Sequence, residues 1–148
     1  VFSSANFPAL VKSTSGTWPK YQLAYDQGTK ETATWYVNLT TAAIASVSSA
    51  TIELWLTATS SGGDSVWAIN TKALTSGVDI HSAGSTSNTS TAKSITSTQV
   101  NRITAGLSAS SWGTPSILQL SIARETTDAG DVSTGDQYLY SAVLRIVV

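Results

Sequence analysis

The chain has 148 residues, enough for one domain with a sizeable core, and carries a formal net charge of −1 with only 11% charged residues. That share is less than half the roughly 25% usual for globular domains. Its eight Lys and Arg form no run or basic face, no apolar stretch approaches a membrane span, and there is no Cys. The composition therefore gives no footprint for nucleic acid or an anionic membrane surface, and excludes both a disulfide framework and a thiolate metal site.

Residues 1–30 show no sustained periodicity and hold two of the three prolines, Pro8 and Pro19. Their large apolar residues, among them Phe2, Phe7, Leu10 and Trp18, are spaced as isolated anchors. The segment reads as an extended N-terminal arm, with a short strand near residues 22–25, whose anchors bury against this domain or a neighbouring subunit. Residues 31–148 read as one β-sandwich domain.

Within that domain TATWYVNL, Thr32–Leu39, is the first clear strand, placing Trp35, Val37 and Leu39 on one face. Residues 41–49 are rich in small side chains and fit either a loop or a single helical turn. TIELWLTAT at 51–59 alternates cleanly, with Ile52, Leu54, Leu56 and Ala58 inward and Glu53, Trp55 and Thr57 outward. The following SSGGD accepts the positive φ of a tight turn, so VWAINTKAL at 66–74 is expected to return as a hairpin partner. Residues 75–91 read as a long polar connection, 93–98 and 100–104 as weak strands, and 105–115 as a loop broken by Gly106, Gly113 and Pro115.

The last third carries the strongest pattern. Leu118, Leu120 and Ile122 share one face of a strand, and Tyr138, Tyr140, Ala142, Leu144, Ile146 and Val148 share a face of the next. Six to eight strands, long connections and no amphipathic helix favour an antiparallel β-sandwich over a barrel or propeller. Ser and Thr fill nearly a third of the positions. A hydroxyl-rich, charge-poor surface is cheap to desolvate against another protein, which suits an assembly subunit.

The densest polar cluster, Arg124, Glu125, Asp128, Asp131 and Asp136, lies between the two final strands. One reading is calcium, since closely spaced carboxylates supply hard oxygen ligands, although the spacing departs from the twelve-residue calcium loop. The favoured reading pairs Arg124 with one or more of Asp128, Asp131 and Asp136 to hold the connection shut. Glu53 and Glu125 mark no cleft for glycoside hydrolysis, and His81 is the only histidine. No G-x-S-x-G elbow surrounds any serine, so no catalytic residue, metal or cofactor is assigned. Trp55, outward beside Glu53 and Thr57, is the candidate surface contact, because exposed aromatics can stack on sugars as well as pack at interfaces. Asn38-Leu-Thr and Asn88-Thr-Ser match the short glycosylation acceptor pattern.

In order, the arm, TATWYVNL, TIELWLTATSSGGDSVWAI and LQLSIARETTDAGDVSTGDQYLYSAVLRI resemble a family of small jelly-roll proteins of tailed bacteriophages. The residues carrying the resemblance are Trp55, Val66, Trp67, Arg124, Glu125, Asp128, Ser133 or Thr134, Gly135, Asp136, Leu139 and Val143. It spans about residues 32–148 and rests mainly on the two hairpins, 51–74 and 116–148. It implies a jelly roll and a trimeric, non-enzymatic virion protein, foremost a capsid decoration (cement) protein on the capsid surface. The implied partners are other copies of the chain and the major capsid protein. The alternative it implies is a receptor- or saccharide-binding head domain of a tail spike or fibre. For Arg124 and the nearby aspartates it implies a recurrent structural loop.

Overall fold

The computed structural model describes residues 9–13, 20–39, 47–60, 62–77, 86–109, 112 and 116–147; of 9–13, 20, 21 and 116 it describes the backbone alone. The described residues form strands and connections, with no helix. The strands are β1 (Ala9–Ser13), β2 (Lys20–Tyr25), β3 (Thr32–Leu39), β4 (Ser49–Ala58), β5 (Asp64–Ser65), β6 (Trp67–Leu74), β7 (Thr86–Thr89), β8 (Lys93–Ser94), β9 (Asn101–Leu107), β10 (Ser116–Arg124) and β11 (Gln137–Val147). A five-stranded sheet runs β1-β2-β11-β4-β9, a four-stranded sheet runs β3-β10-β6-β7, and β5 and β8 form a small ribbon. Every pairing is antiparallel. The fold is an antiparallel β-sandwich.

Alternation sets the faces. In β4, Ile52, Leu54 and Leu56 are at most 1% exposed, and in β10 Leu118, Leu120 and Ile122 are buried opposite them. Together with Trp67, Ile69, Ile103 and Leu139 they make one core, each large side chain contributing about 1.5–3 kcal/mol of burial. Tyr25 closes one end: its ring meets Trp67 edge-on with centroids 4.8 Å apart. Its hydroxyl donates to the Ile122 carbonyl at 3.2 Å. Burial, reinforced by the nearby Glu31 charge, pushes the Tyr25 phenol well above its ordinary range, so it stays a neutral donor.

Three expectations change. First, β4 and β6 are not a hairpin: they lie in opposite sheets, as do β10 and β11. Among neighbours in chain order within the two large sheets, only β1–β2 and β6–β7 pair directly. Two strands facing each other across a core alternate just as two strands of a hairpin do, so the pattern cannot separate the cases. Second, the segment read as an arm, residues 1–30, supplies β1 and β2, and Gln22, Ala24 and Tyr25 are buried. The sandwich therefore includes β2. Third, the 75–91 tract contains β7, and β9 runs on to Leu107 in what reads as a loop.

Candidate functional site

Two regions stand apart from ordinary sandwich packing: a closed clasp at one end and an open seam along one side. The clasp is built on Arg124, the last residue of β10, which is 0% exposed. Its Nη2 and Nε donate to the two carboxylate oxygens of Asp131 at 2.8 and 3.1 Å. Nη1 donates to the Gly135 carbonyl at 2.8 Å, and Nη2 also reaches the Ser133 carbonyl. A planar guanidinium thus pairs bidentately with one acid and ties down two backbone carbonyls, which a lysine cannot do.

The same carboxylate reaches across the fold. Asp131 Oδ2 accepts the Val66 amide at 3.0 Å. The amides of Val132 and Ser133 both donate to the Asp64 carbonyl, and Ser65 Oγ donates to buried Gln137 Oε1 at 2.9 Å. The loop therefore lies flat on β5. Gly63 makes that approach possible: its φ is +78°, and a Cβ there would sit 2.3 Å from the Val132 carbonyl oxygen.

Of the aspartates proposed for Arg124, the structure brings only Asp131 to it. Asp128 Oδ1 instead accepts the Gly130 amide at 2.7 Å, shaping a turn. Asp136 Oδ1 accepts the Gln27 amide at 3.3 Å. Glu125 pairs with Lys30 and accepts from Thr127 Oγ1. Among the described residues no group of three or more His, Cys, Asp or Glu is placed to hold a metal. Phe2, Phe7, Trp18 and His81 lie outside the described residues, and Leu10 lies on β1 with only its backbone described.

Trp55 is half-buried on the outer face of the five-stranded sheet, with the Arg102 guanidinium 5.8 Å from its ring centre. Beside it Glu53 accepts from Arg145 Nε at 3.0 Å and lies 3.9 Å from Arg102. The hydrogen bond from Arg145, then the two Arg charges, outweigh burial and hold the Glu53 carboxyl below its ordinary value. Nothing in the sequence pairs Glu53 with Arg102 and Arg145, because cross-strand partners depend on a register that no short pattern encodes.

The open seam begins where β2 leaves β11. The two strands pair only through Gln137, Tyr138 and Leu139. Against β4, Leu139 faces Leu56 and Ser141 faces Trp55, so Tyr140 is an extra residue that makes a bulge. The bulge reverses which residues turn inward: Leu139 before it, Ala142, Leu144 and Ile146 after it. The single face expected for Tyr138 through Val148 is thus split. Beyond the bulge, residues 141–147 pair with β4 on one side, and no described strand pairs with them on the other. A cavity of about 500 Å³ opens into this seam, lined by Gln22, Leu23, Trp35, Val37, Leu120 and Leu144 among others. Gln22 is only 7% exposed there, yet its Oε1 has no hydrogen-bond partner.

No protein-family model, curated protein or solved structure matches the chain.

Proposed function

We propose that this chain is a non-enzymatic structural subunit of a tailed-phage virion, a trimeric capsid decoration protein that contacts other copies of itself and the major capsid protein. The strand order supports a jelly roll. Strands β2-β11-β4-β9 and β3-β10-β6-β7 divide eight strands between two sheets, with the chain crossing between them as paired Greek keys require. The clasp supports a building-block role, since it fixes the loop that joins the last two strands without leaving a free reactive group at Arg124 or Asp131.

The observation that carries the assembly reading is the apolar seam of β11. Along AVLRIV, where no described strand pairs with its second side, the one charge is Arg145, which turns to Glu53 on the outer face, and there is no Lys or Pro, whereas natural edges usually carry more such protection. In a subunit whose work is to pack on its neighbours, that edge is covered. The test is mass in solution followed by imaging. Light scattering is expected to give three times the 15.4 kDa chain mass, and electron microscopy of the source particle to place the chain on the head. A monomer at micromolar concentration, or a location away from any particle, overturns the proposal. A saccharide-binding tail head is the alternative outcome, read as placement on the tail; it has less support, because Arg102 already sits over Trp55.

A further inference from the structure

The outer face of the five-stranded sheet carries a layout that core packing does not explain. Trp55 lies between Arg102 on β9 and Ser141 on β11, and Glu53 lies between Thr104 and Val143. Two guanidiniums share the one Glu53 carboxylate. Arg145 Nε donates to it at 3.0 Å, whereas Arg102 stays 3.9 Å away, past hydrogen-bond distance. The Arg145 and Arg102 side chains are 62% and 57% exposed, and two Arg against one Glu leave the patch with a net charge of +1. Its centre is apolar: half-buried Trp55, and Val143 on the exposed side of β11.

The clasp end has the reverse layout. Residues 26–31, 64 and 124–136 meet there, through the bonds of Gln27 to Gly135 and Asp136 and those of Val132 and Ser133 to Asp64. They hold seven of the nine acidic residues against two bases, Lys30 and Arg124, a net charge of −5. Val132 stands among them 59% exposed. Beside it, Asp64 holds the loop through its carbonyl rather than its carboxylate, and Asp128 is exposed.

We infer that the Arg102 face of one copy receives the Val132 end of the next, with Val132 on Trp55 and Val143 and the Asp64 and Asp128 carboxylates toward Arg102. Each side is then an apolar centre within a charged rim, and the two rims have opposite sign. The occupant is a second copy because the chain itself carries the complementary end. Two Arg faces repel, as do two acidic ends, so the contact joins unlike patches, and contacts of that kind can close into rings. The cation–π contact with Trp55 holds the Arg102 fork in place ahead of binding, so less side-chain freedom is lost when a carboxylate arrives.

This inference rests on the assembly reading and names one of its contacts. Arg102→Glu reverses the charge of the face, and Asp64→Lys reverses that of the end while keeping the backbone bonds of the clasp. Light scattering over a dilution series reads the concentration at which the oligomer dissociates. Each single variant is expected to unfold cooperatively and to raise that concentration by at least about tenfold. Arg102→Gln, which removes the charge without adding one beside Glu53, should shift it in the same direction and serves where Arg102→Glu does not fold. The chain carrying both reversals should return toward the native value, since every contact in a ring of unlike patches then pairs the two reversed charges. Single variants that associate as the native chain does, or a double variant no better than either, overturn the inference and leave the assembly reading standing. A native chain that is monomeric at micromolar concentration sinks both.

Discussion

Strand β11 passes through two opposite environments. At its start Gln137 is 0% and Leu139 4% exposed, held between β2, β4 and the clasp, whereas beyond Tyr140 the same strand leaves Val143 36% and Val147 55% exposed. At the clasp, ionic groups are buried and the Arg124 nitrogens all find acceptors, although Ser133 Oγ and Gln137 Nε2 are enclosed without partners. At the seam, apolar groups are left open and no described strand pairs with the backbone. The two kinds of free energy act in different places. The clasp acts within the subunit, since breaking it strands a charge in the interior. The seam contributes little until something covers it.

The comparison is tested most severely at the clasp. Replacing Arg124 by Ala leaves Asp131 enclosed without its counter-ion and two carbonyls without donors. The expected loss in chemical denaturation is about 3–5 kcal/mol. Arg124→Lys should recover only part of it, because the forked geometry is gone. Gly63→Ala should cost more than the ~1–2 kcal/mol that a left-handed residue alone costs, since the added Cβ also meets the Val132 backbone. If either change proves neutral, the loop is held by something other than this network.

Acid perturbs the molecule more gently. Burial pushes the Glu125 carboxyl up, but hydrogen bonds from Lys30 and Thr127 and the Lys30 charge outweigh it, so the group lies below its ordinary 4.5. Glu53 is lowered too. Both therefore contribute stability that is present above about pH 4.5 and lost as pH falls through their lowered values. Glu31 runs the other way: burial, only partly opposed by the Asp26 amide, raises it above 4.5. Its contribution is complete below 4.5 and fades as pH rises through the raised value. Stability should therefore increase slightly on mild acidification and fall once the pH drops below about 4.5. In Glu31→Gln the mild-acid gain should vanish while the fall remains. Denaturation midpoints across that range check both signs.

Much of the sandwich was legible because β4, β6, β10 and β11 repeat with period two over long runs. Their sheet membership was not, since inward alternation looks the same from either wall of a core. Strands β1 and β7 are short, and β7 reads TSNT, a turn-like composition that pairing with β6 converts to a strand. Tyr25 was read as part of an arm because its isolated spacing carries no period, yet the chain path brings it under Trp67. At the clasp the residue types announced an ion pair, but three aspartates were equally eligible. Asp131 is the partner because the turns at 125–131 and the contact with Asp64 deliver it to Arg124. The bulge at Tyr140 left no trace in the sequence, since Tyr suits either face of a strand.

The smallest expected effect on stability falls at the seam, and it is the most informative about assembly. Ala142 is exposed and faces the cavity. A lysine there can run its stem along the apolar wall and keep its ammonium in water. The subunit's own stability should change by no more than about 0.5 kcal/mol, as at other exposed sites. An inward charge on an edge strand nevertheless opposes pairing by another chain, which would have to desolvate it. Ala142→Lys should therefore unfold at the same denaturant midpoint as the unaltered subunit while its mass in light scattering drops to that of one chain. Ala142→Val is the matching control: it adds bulk without charge, and should keep the oligomer. Loss of folding in the lysine variant would mean that the seam is already closed within the subunit, and the contrast between the two halves of β11 would then be one of degree only.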